Sequence, residues 1–152
     1  MVYLDESGID KFLHRDYARS PRGTQVVCDI KGNQYQRVSM ISALCMKRII
    51  APFVFEGTAD RALFTQWLEE CLAPQLKPDQ VVVMDNYSIH KGQKIKDIIE
   101  NRGCRLVFLP PYSPDLNPIE NLWAIIKNRI RKMKKSYSDF HKAIDQAFRY
   151  DY

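Results

Sequence analysis

The sequence predicts an α/β fold: a mixed sheet of three antiparallel strands followed by two parallel strands, with helices on both faces. Three observations lead there. Two apolar, β-branched runs, Arg37 to Cys45 and Ile49 to Glu56, are separated only by Met46-Lys47-Arg48, a connection short enough only for an antiparallel hairpin. Further on, two short apolar runs, Val81 to Met84 and Leu106 to Leu109, alternate with segments of helical period, as βα units do. A length of 152 residues with 45% hydrophobic and 27% charged content is ordinary for one soluble domain with a real core.

The elements follow in order. Val2 to Glu6 is short, apolar and β-prone, and reads as the first strand. Lys11 to Gly23 is charged and ends in Ser20-Pro21-Arg22-Gly23, a loop; Thr24 to Ile30 is a candidate short strand before a turn at Lys31-Gly32-Asn33. Pro52 places the second hairpin strand at an edge or a bulge. From Ala59 to Cys71 the period changes, and Leu63, Phe64, Trp67, Leu68 and Cys71 line one helical face. Val81 to Met84 is apolar on both sides, as a covered parallel strand requires. Lys91 to Asn101 is a helix with Ile95, Ile98 and Ile99 inward, stopped by Gly103, and Leu106 to Leu109 is a second buried strand. Ile119, Leu122, Trp123, Ile126, Ile130 and Met133 then form an apolar helical stripe, and Tyr137 to Phe148 forms a last helix.

The net charge of +5 is uneven. Residues 1 to 120 hold 15 Lys/Arg and 15 Asp/Glu, whereas residues 121 to 152 hold eight against three. Lys127, Arg129, Arg131, Lys132, Lys134 and Lys135 follow one another with no acid between them, a density that attracts polyanions. A solvated helix face explains such a run when it stands alone; the carboxylates nearby favour nucleic acid. Cys28, Cys45, Cys71 and Cys104 form no C-x-x-C pair, so free thiols in a reducing cytoplasm are expected rather than a disulfide or a zinc site. No apolar stretch reaches membrane-spanning length, and no signal peptide is visible.

Three acidic residues stand at the ends of elements. Asp5 follows an apolar run near the N-terminus, Asp85 closes the run from Gln80, and Glu120 opens a helix after 34 intervening residues. In open α/β sheets, ligands bind beyond the carboxyl ends of strands. Two or three carboxylates gathered there suit Mg²⁺, and without metal they would raise one another's pKa. Each has a plainer explanation. Asp5 can be a strand-end turn residue, and Glu6 replaces it if the register slips by one, though alternation points Glu6 to the other face. Asp85 with Asn86 is harder to dismiss, because polar groups there end a core strand. With Asn117 as N-cap and Pro118 next, Glu120 falls at the capping-box position, and Asp115 is a loop-borne rival. Four prolines between Pro110 and Pro118 restrict the loop that leads to Glu120. Trp123, on the apolar stripe, is core; Tyr112 either stacks on a base or packs. His90 reads more readily as a solvated helix-entry histidine than as a catalytic one, and His14 and His141 have no such context.

The chain closely resembles the catalytic domain of mariner-type DDE transposases, in particular their bacterial insertion-sequence relatives. The likeness rests on Tyr3-Leu4-Asp5-Glu6, on Met84-Asp85-Asn86 with His90-Lys91, and on Pro111-Tyr112-Ser113-Pro114-Asp115-Leu116-Asn117-Pro118-Ile119-Glu120, and runs from about Val2 to about Arg131. It implies an RNase H-like, retroviral integrase-like fold, in agreement with the order of elements. It further implies that Asp5, Asp85 and Glu120 are the catalytic metal ligands, that His90 and Asn86 are auxiliary, and that two Mg²⁺ ions, replaceable by Mn²⁺, serve strand cleavage and strand transfer on DNA. Lys127 to Lys135 would follow DNA phosphates, with Lys127, Arg129, Arg131, Lys132, Lys134 and Lys135 as contacts.

Family enzymes act as dimers on paired transposon ends and carry an N-terminal helix-turn-helix region. The chain starts at the first catalytic strand, so end recognition is expected from a separate or fused polypeptide. One catalytic domain over residues 1 to 152, with a basic helical tail from 127, is the expected organisation, in a cytoplasmic, nucleoid-associated protein. Two other readings stand beside it: an inactive remnant of a transposase that binds nucleic acid, and a different RNase H-like nuclease.

Overall fold

The computed structural model describes residues 1–10, 37–111, 113–133 and 140–149, with the backbone alone at Pro114. The loop and strand expected between Lys11 and Asn33 lie outside the described residues, as do Cys28, Tyr112, Lys134, Lys135 and the start of the last helix.

Strand β1 (Val2–Asp10) pairs along its whole length with β2 (Arg37–Cys45), antiparallel from Val2 opposite Cys45 to Asp10 opposite Arg37. It therefore runs past Glu6, where the sequence reading ended it. Ser7 and Gly8 carry no β signal of their own, and the partner strand holds them extended. The Arg37 guanidinium lies in the space that a Cβ on Gly8 would fill. Strand β3 (Arg48–Glu56) completes the hairpin through Met46 and Lys47, both with positive φ (50° and 64°), the two-residue turn that matches strand twist. β3 is an edge strand, and its register against β2 shifts between Ile41 and Ala43, so Pro52 sits at both an edge and a bulge. Ala51, at φ 49°, turns its carbonyl to accept from Trp67 Nε1 at 2.9 Å.

The other side of β1 takes β4 (Val81–Met84) in parallel, and β4 takes β5 (Arg105–Phe108), giving the order β3-β2-β1-β4-β5. This is the expected mixed sheet. β5 departs from expectation in its burial. Val107 is 45% and Phe108 37% exposed, because β5 is the last strand of the sheet; only Leu106 reaches the core.

Helices cover both faces. Helix α1 (Arg61–Trp67) starts at Asp60, whose carboxylate accepts from Leu63 N at 2.8 Å, and continues through a π-helical turn to Leu72 and a 3₁₀ turn to Gln75. Helix α2 (Gln93–Glu100) ends where Gly103, at φ 70°, donates its N–H to the Glu100 carbonyl. Phe64, Trp67, Leu68, Ile95 and Ile99 pack with Val2, Leu4, Ile41 and Val82 on one face. On the other, helices α3 (Ile119–Met133) and α4 (Phe140–Phe148) lay Leu122, Trp123, Ile126, Ile130 and Ile144 over Ile9, Val38, Met40 and Leu44. Trp123 is thus core, as its place on the stripe required. Burying each such side chain contributes roughly 1.5–3 kcal/mol. Among the described residues no helix is long and apolar enough to cross a membrane, and Cys45, Cys71 and Cys104 are free thiols.

Candidate active site

The parallel register of β1 and β4 sets Val2 beside Val82 and Tyr3 beside Val83. Two residues further along the same register come Asp5, still within β1, and Asp85, just past the end of β4. Alternation sends Asp5 to the face covered by α3. Glu120, in the first turn of α3, meets it there. Asp5, Asp85 and Glu120 line one cavity of about 510 Å³ with Asn86, Tyr87, Leu109, Pro110, Pro111, Ser113 and Asn117. The proline-rich loop forms one wall. Asp115, the rival for the third position, is exposed and does not line the cavity.

The carboxylates share the cavity without closing into one cage: among the described residues no three acidic, histidine or cysteine side chains stand close enough to hold a single ion. Their mutual influence is nevertheless strong. Burial pushes the Asp5 carboxyl up to about 7, and the charges of Glu120, Asp85 and Glu6 push the same way against a backbone hydrogen bond at Glu6. A nearby cation would favour the ionised form of a carboxylate so placed, and the oxygen-only donor set matches a hard divalent ion.

The capping explanation for Glu120 is not realised. The Glu120 N–H bonds to the Asn117 carbonyl at 3.1 Å, but the buried Asn117 Oδ1 accepts no hydrogen bond among the described residues. Glu120 is exposed toward the cavity, free of a capping role.

His90 corrects the sequence reading outright. It is 1% exposed rather than solvated, packed at 4.4 Å between ring centroids on Phe64. The 3₁₀ turn Ser88–His90 carries it inward, with Nδ1 2.5 Å from Asp85 Oδ1 and Nε2 3.2 Å from Glu6 Oε1. His90 Nδ1 and Asp85 Oδ1 are in direct contact, an ion pair in which the ring nitrogen faces the carboxylate. Burial works against the charged imidazolium, yet the two carboxylates outweigh it and hold its pKa at about 9. Asp85 is correspondingly held below the usual carboxylate range: burial opposes its charge, and contact with His90 and the Tyr87 N–H (3.1 Å) prevails. From sequence, Glu6 is a candidate only as a substitute for Asp5. Its signal was there, since a charged side chain on the inner face of a buried strand must find a partner.

The basic stretch divides. Lys127, half-buried two turns after Glu120, is held below the usual lysine range by burial, with Arg131 and Arg37 adding to the effect and Glu120 and Asp5 opposing it. It feels the charges of the carboxylates, while part of it faces solvent. Arg131 and Lys132 are exposed, Arg129 is partly buried, and Lys134 and Lys135 lie outside the described residues.

The family profile described as DDE superfamily endonuclease matches residues 1–143. The chain belongs to the DDE superfamily endonucleases. Relatives of this DDE domain include transposases of the Tc1 and Tcb1 transposable elements and a protein of the insertion element IS630. It is 30% identical to the Tcb1 transposase of Caenorhabditis briggsae over 95 residues, 60% of this chain and 33% of that one. It is 32% identical to the insertion element IS630 39 kDa protein of Shigella sonnei over 73 residues, 47% of this chain and 21% of that one. The chain thus matches about a third or less of these relatives' length. In fold it is similar to the Mos1 chain of a strand transfer complex, with a TM-score of 0.65 and 17% identity over 96% of this chain and 51% of that one. The catalytic core of BIV integrase gives a TM-score of 0.56 and 10% identity over 97% and 79% of the two chains. The DDE domain therefore has the RNase H-like, integrase-like fold that its sequence implied.

Proposed function

We propose that this DDE endonuclease domain is the catalytic part of a transposase, cutting DNA at the ends of a mobile element and joining the freed 3′ ends to a target. The observation that carries the reading is the meeting of Asp5, Asp85 and Glu120, from three separate elements, in one cavity of a chain of this family. Each Mg²⁺ takes one or two carboxylates and keeps its remaining places for water and phosphate oxygens. Two ions, with Mn²⁺ able to replace Mg²⁺, fit the open spacing better than a single cage. Bound there, they supply a lowered pKa to the attacking oxygen and neutralise charge on the phosphate.

The chain's own groups do the rest. Asp5, Asp85 and Glu120 hold the ions, Asp5 giving up its proton as it does so. Asn86 and His90 are auxiliary at Asp85. In cleavage, a water oxygen bonds to phosphorus as the P–O3′ bond breaks, leaving a 3′-hydroxyl and a 5′-phosphate. In joining, that hydroxyl oxygen bonds to a target phosphorus and a second P–O3′ bond breaks, so phosphodiester bonds are conserved. Lys127, Arg129, Arg131 and Lys132, with Lys134 and Lys135, contact backbone phosphates independently of sequence.

Solved relatives of similar fold are named as a Mos1 paired-end complex with left transposon end and a Mos1 mariner paired-end complex with Mn. On that likeness we assign to this chain transposon ends and target DNA as substrates, a homodimer as the working assembly, and a helix-turn-helix polypeptide, separate or fused, for end recognition. The test is nicking of supercoiled plasmid in Mg²⁺ and Mn²⁺ by the chain and by Asp85→Asn. Metal-dependent nicking that the variant lacks supports the proposal; nicking that survives in Asp85→Asn, or binding of DNA with no cutting by either, refutes it for this chain.

A further inference from the structure

Glu6 follows Asp5 in β1 but points to the opposite face of the sheet. There its Oε1 lies 3.2 Å from His90 Nε2, and His90 Nδ1 lies 2.5 Å from Asp85 Oδ1. The chain of contacts joins β1 to the segment after β4 from beneath the cavity, between residues 84 positions apart in Glu6 and His90. The imidazole is 1% exposed, with Phe64 against one side and the edge of Tyr87 at 5.8 Å. A carboxylate stands at each nitrogen and an aromatic ring packs on its face, contacts that favour this one orientation. Asp85 Oδ1 is committed on this side, to His90 and to the Tyr87 N–H at 3.1 Å. Its other oxygen remains for the cavity.

We infer that Glu6 and His90 are positioning residues: anchored on β1 through Glu6, the His90 ring fixes the side-chain orientation of Asp85, so that Asp85 and Asp5 present their oxygens to a divalent cation from a frame held by the same strand. The inference rests on the proposed function, since it assigns Asp85 to a cation. Neighbouring β1 residues thereby act on both sides of the sheet, Asp5 as a ligand and Glu6 as the anchor of a ligand. Groups that orient a metal ligand typically change metal affinity or activity by about 10–100-fold when lost.

Two substitutions at His90 separate positioning from packing, because asparagine places its amide nitrogen near the site of Nδ1 and glutamine places its own near the site of Nε2. His90→Asn keeps a donor for Asp85 and His90→Gln keeps one for Glu6 only. Mn²⁺ binding to the full chain, read from the free-ion EPR signal without DNA, is compared among the wild type, both His90 variants and Glu6→Ala, with thermal melting alongside. Glu6→Ala leaves the buried ring in place, so it keeps the test decisive if a His90 variant does not fold. We expect His90→Gln to bind Mn²⁺ about tenfold or more weakly, His90→Asn to lose much less, and Glu6→Ala to weaken binding while remaining folded. Equal affinity in the wild type, His90→Gln and Glu6→Ala overturns the inference, and so does an equal loss in the two His90 variants, which would mark packing alone. A wild type that binds Mn²⁺ with the expected ranking yet never cuts DNA sinks the proposed function and leaves the positioning pair standing.

Discussion

Counted along the parallel register of β1 and β4, Asp5 and Asp85 each lie two residues beyond the pair Tyr3 and Val83, Asp85 just past the end of β4. The paired residues before them, Val2, Tyr3, Val82 and Val83, are buried or half-buried, so the sheet sets the separation of the two carboxylates. Burial and the neighbouring charges hold Asp5 at about 7. At pH 8 without divalent ions it is ionised at a cost of about 4 kcal/mol at most. Asp5→Asn should therefore stabilise the metal-free chain by up to that amount and abolish its stabilisation by Mn²⁺. Urea unfolding at pH 8, with and without Mn²⁺, checks both halves; a destabilised Asp5→Asn would mean that the charge is already compensated within the protein.

The same groups set a pH dependence with a definite sign. Asp5 is raised from 3.8 to about 7, so its contribution is full below pH 3.8 and is lost as pH rises through 7. His90 is raised from 6.5 to about 9, so its contribution is full below pH 6.5 and is lost through 9. Asp85 is lowered and works oppositely, its contribution present above 3.8 and lost as pH falls through its folded value. These groups make the metal-free chain less stable with each step from about pH 4 to 9. Saturating Mn²⁺ should flatten the lower part of that slope, where Asp5 titrates, and its binding near pH 6 should release a proton measurable in weakly buffered solution.

Asn117 was legible from sequence as an N-cap, and the structure denies it the hydrogen bond. An N-cap asparagine normally contributes about 1 kcal/mol. Here Oδ1 is buried without a partner among the described residues, a condition that itself costs roughly 1–3 kcal/mol. Asn117→Ala should accordingly leave the melting temperature unchanged or higher, where a working cap would lower it by several degrees. Thermal denaturation without divalent ions decides between them.

Elements with a local signal were readable: the hairpin by its alternation, α3 by its stripe, and Asp85 by a polar pair ending an apolar run. Asp5 and Glu120 were located mainly through motif resemblance. What escaped was fixed by distant partners. Ser7 and Gly8 are strand because β2 lies alongside them, and Val107 and Phe108 are exposed because β5 ends the sheet among the described residues. His90 looked solvated because its neighbours Lys91 and Gly92 are polar, while Phe64 and Glu6, which bury and bind it, are remote in sequence.

The basic run reads differently once Lys127 is placed beside Glu120 and Asp5. Six phosphate contacts would give a log–log salt slope of about −5 for DNA affinity, each cation adding about −0.9. Lys127→Ala and Lys132→Ala should each make the slope shallower by about 1, since both remove one phosphate contact. They should part in their response to metal. Lys127 shares its surroundings with the carboxylates, so adding Mn²⁺ changes the local field at Lys127 and leaves the exposed Lys132 untouched. Fluorescence anisotropy across a salt series, with and without Mn²⁺, should show a metal-dependent loss for Lys127→Ala and a metal-independent one for Lys132→Ala. Identical behaviour of the two variants would return Lys127 to the solvated helix face and separate DNA binding from the cavity.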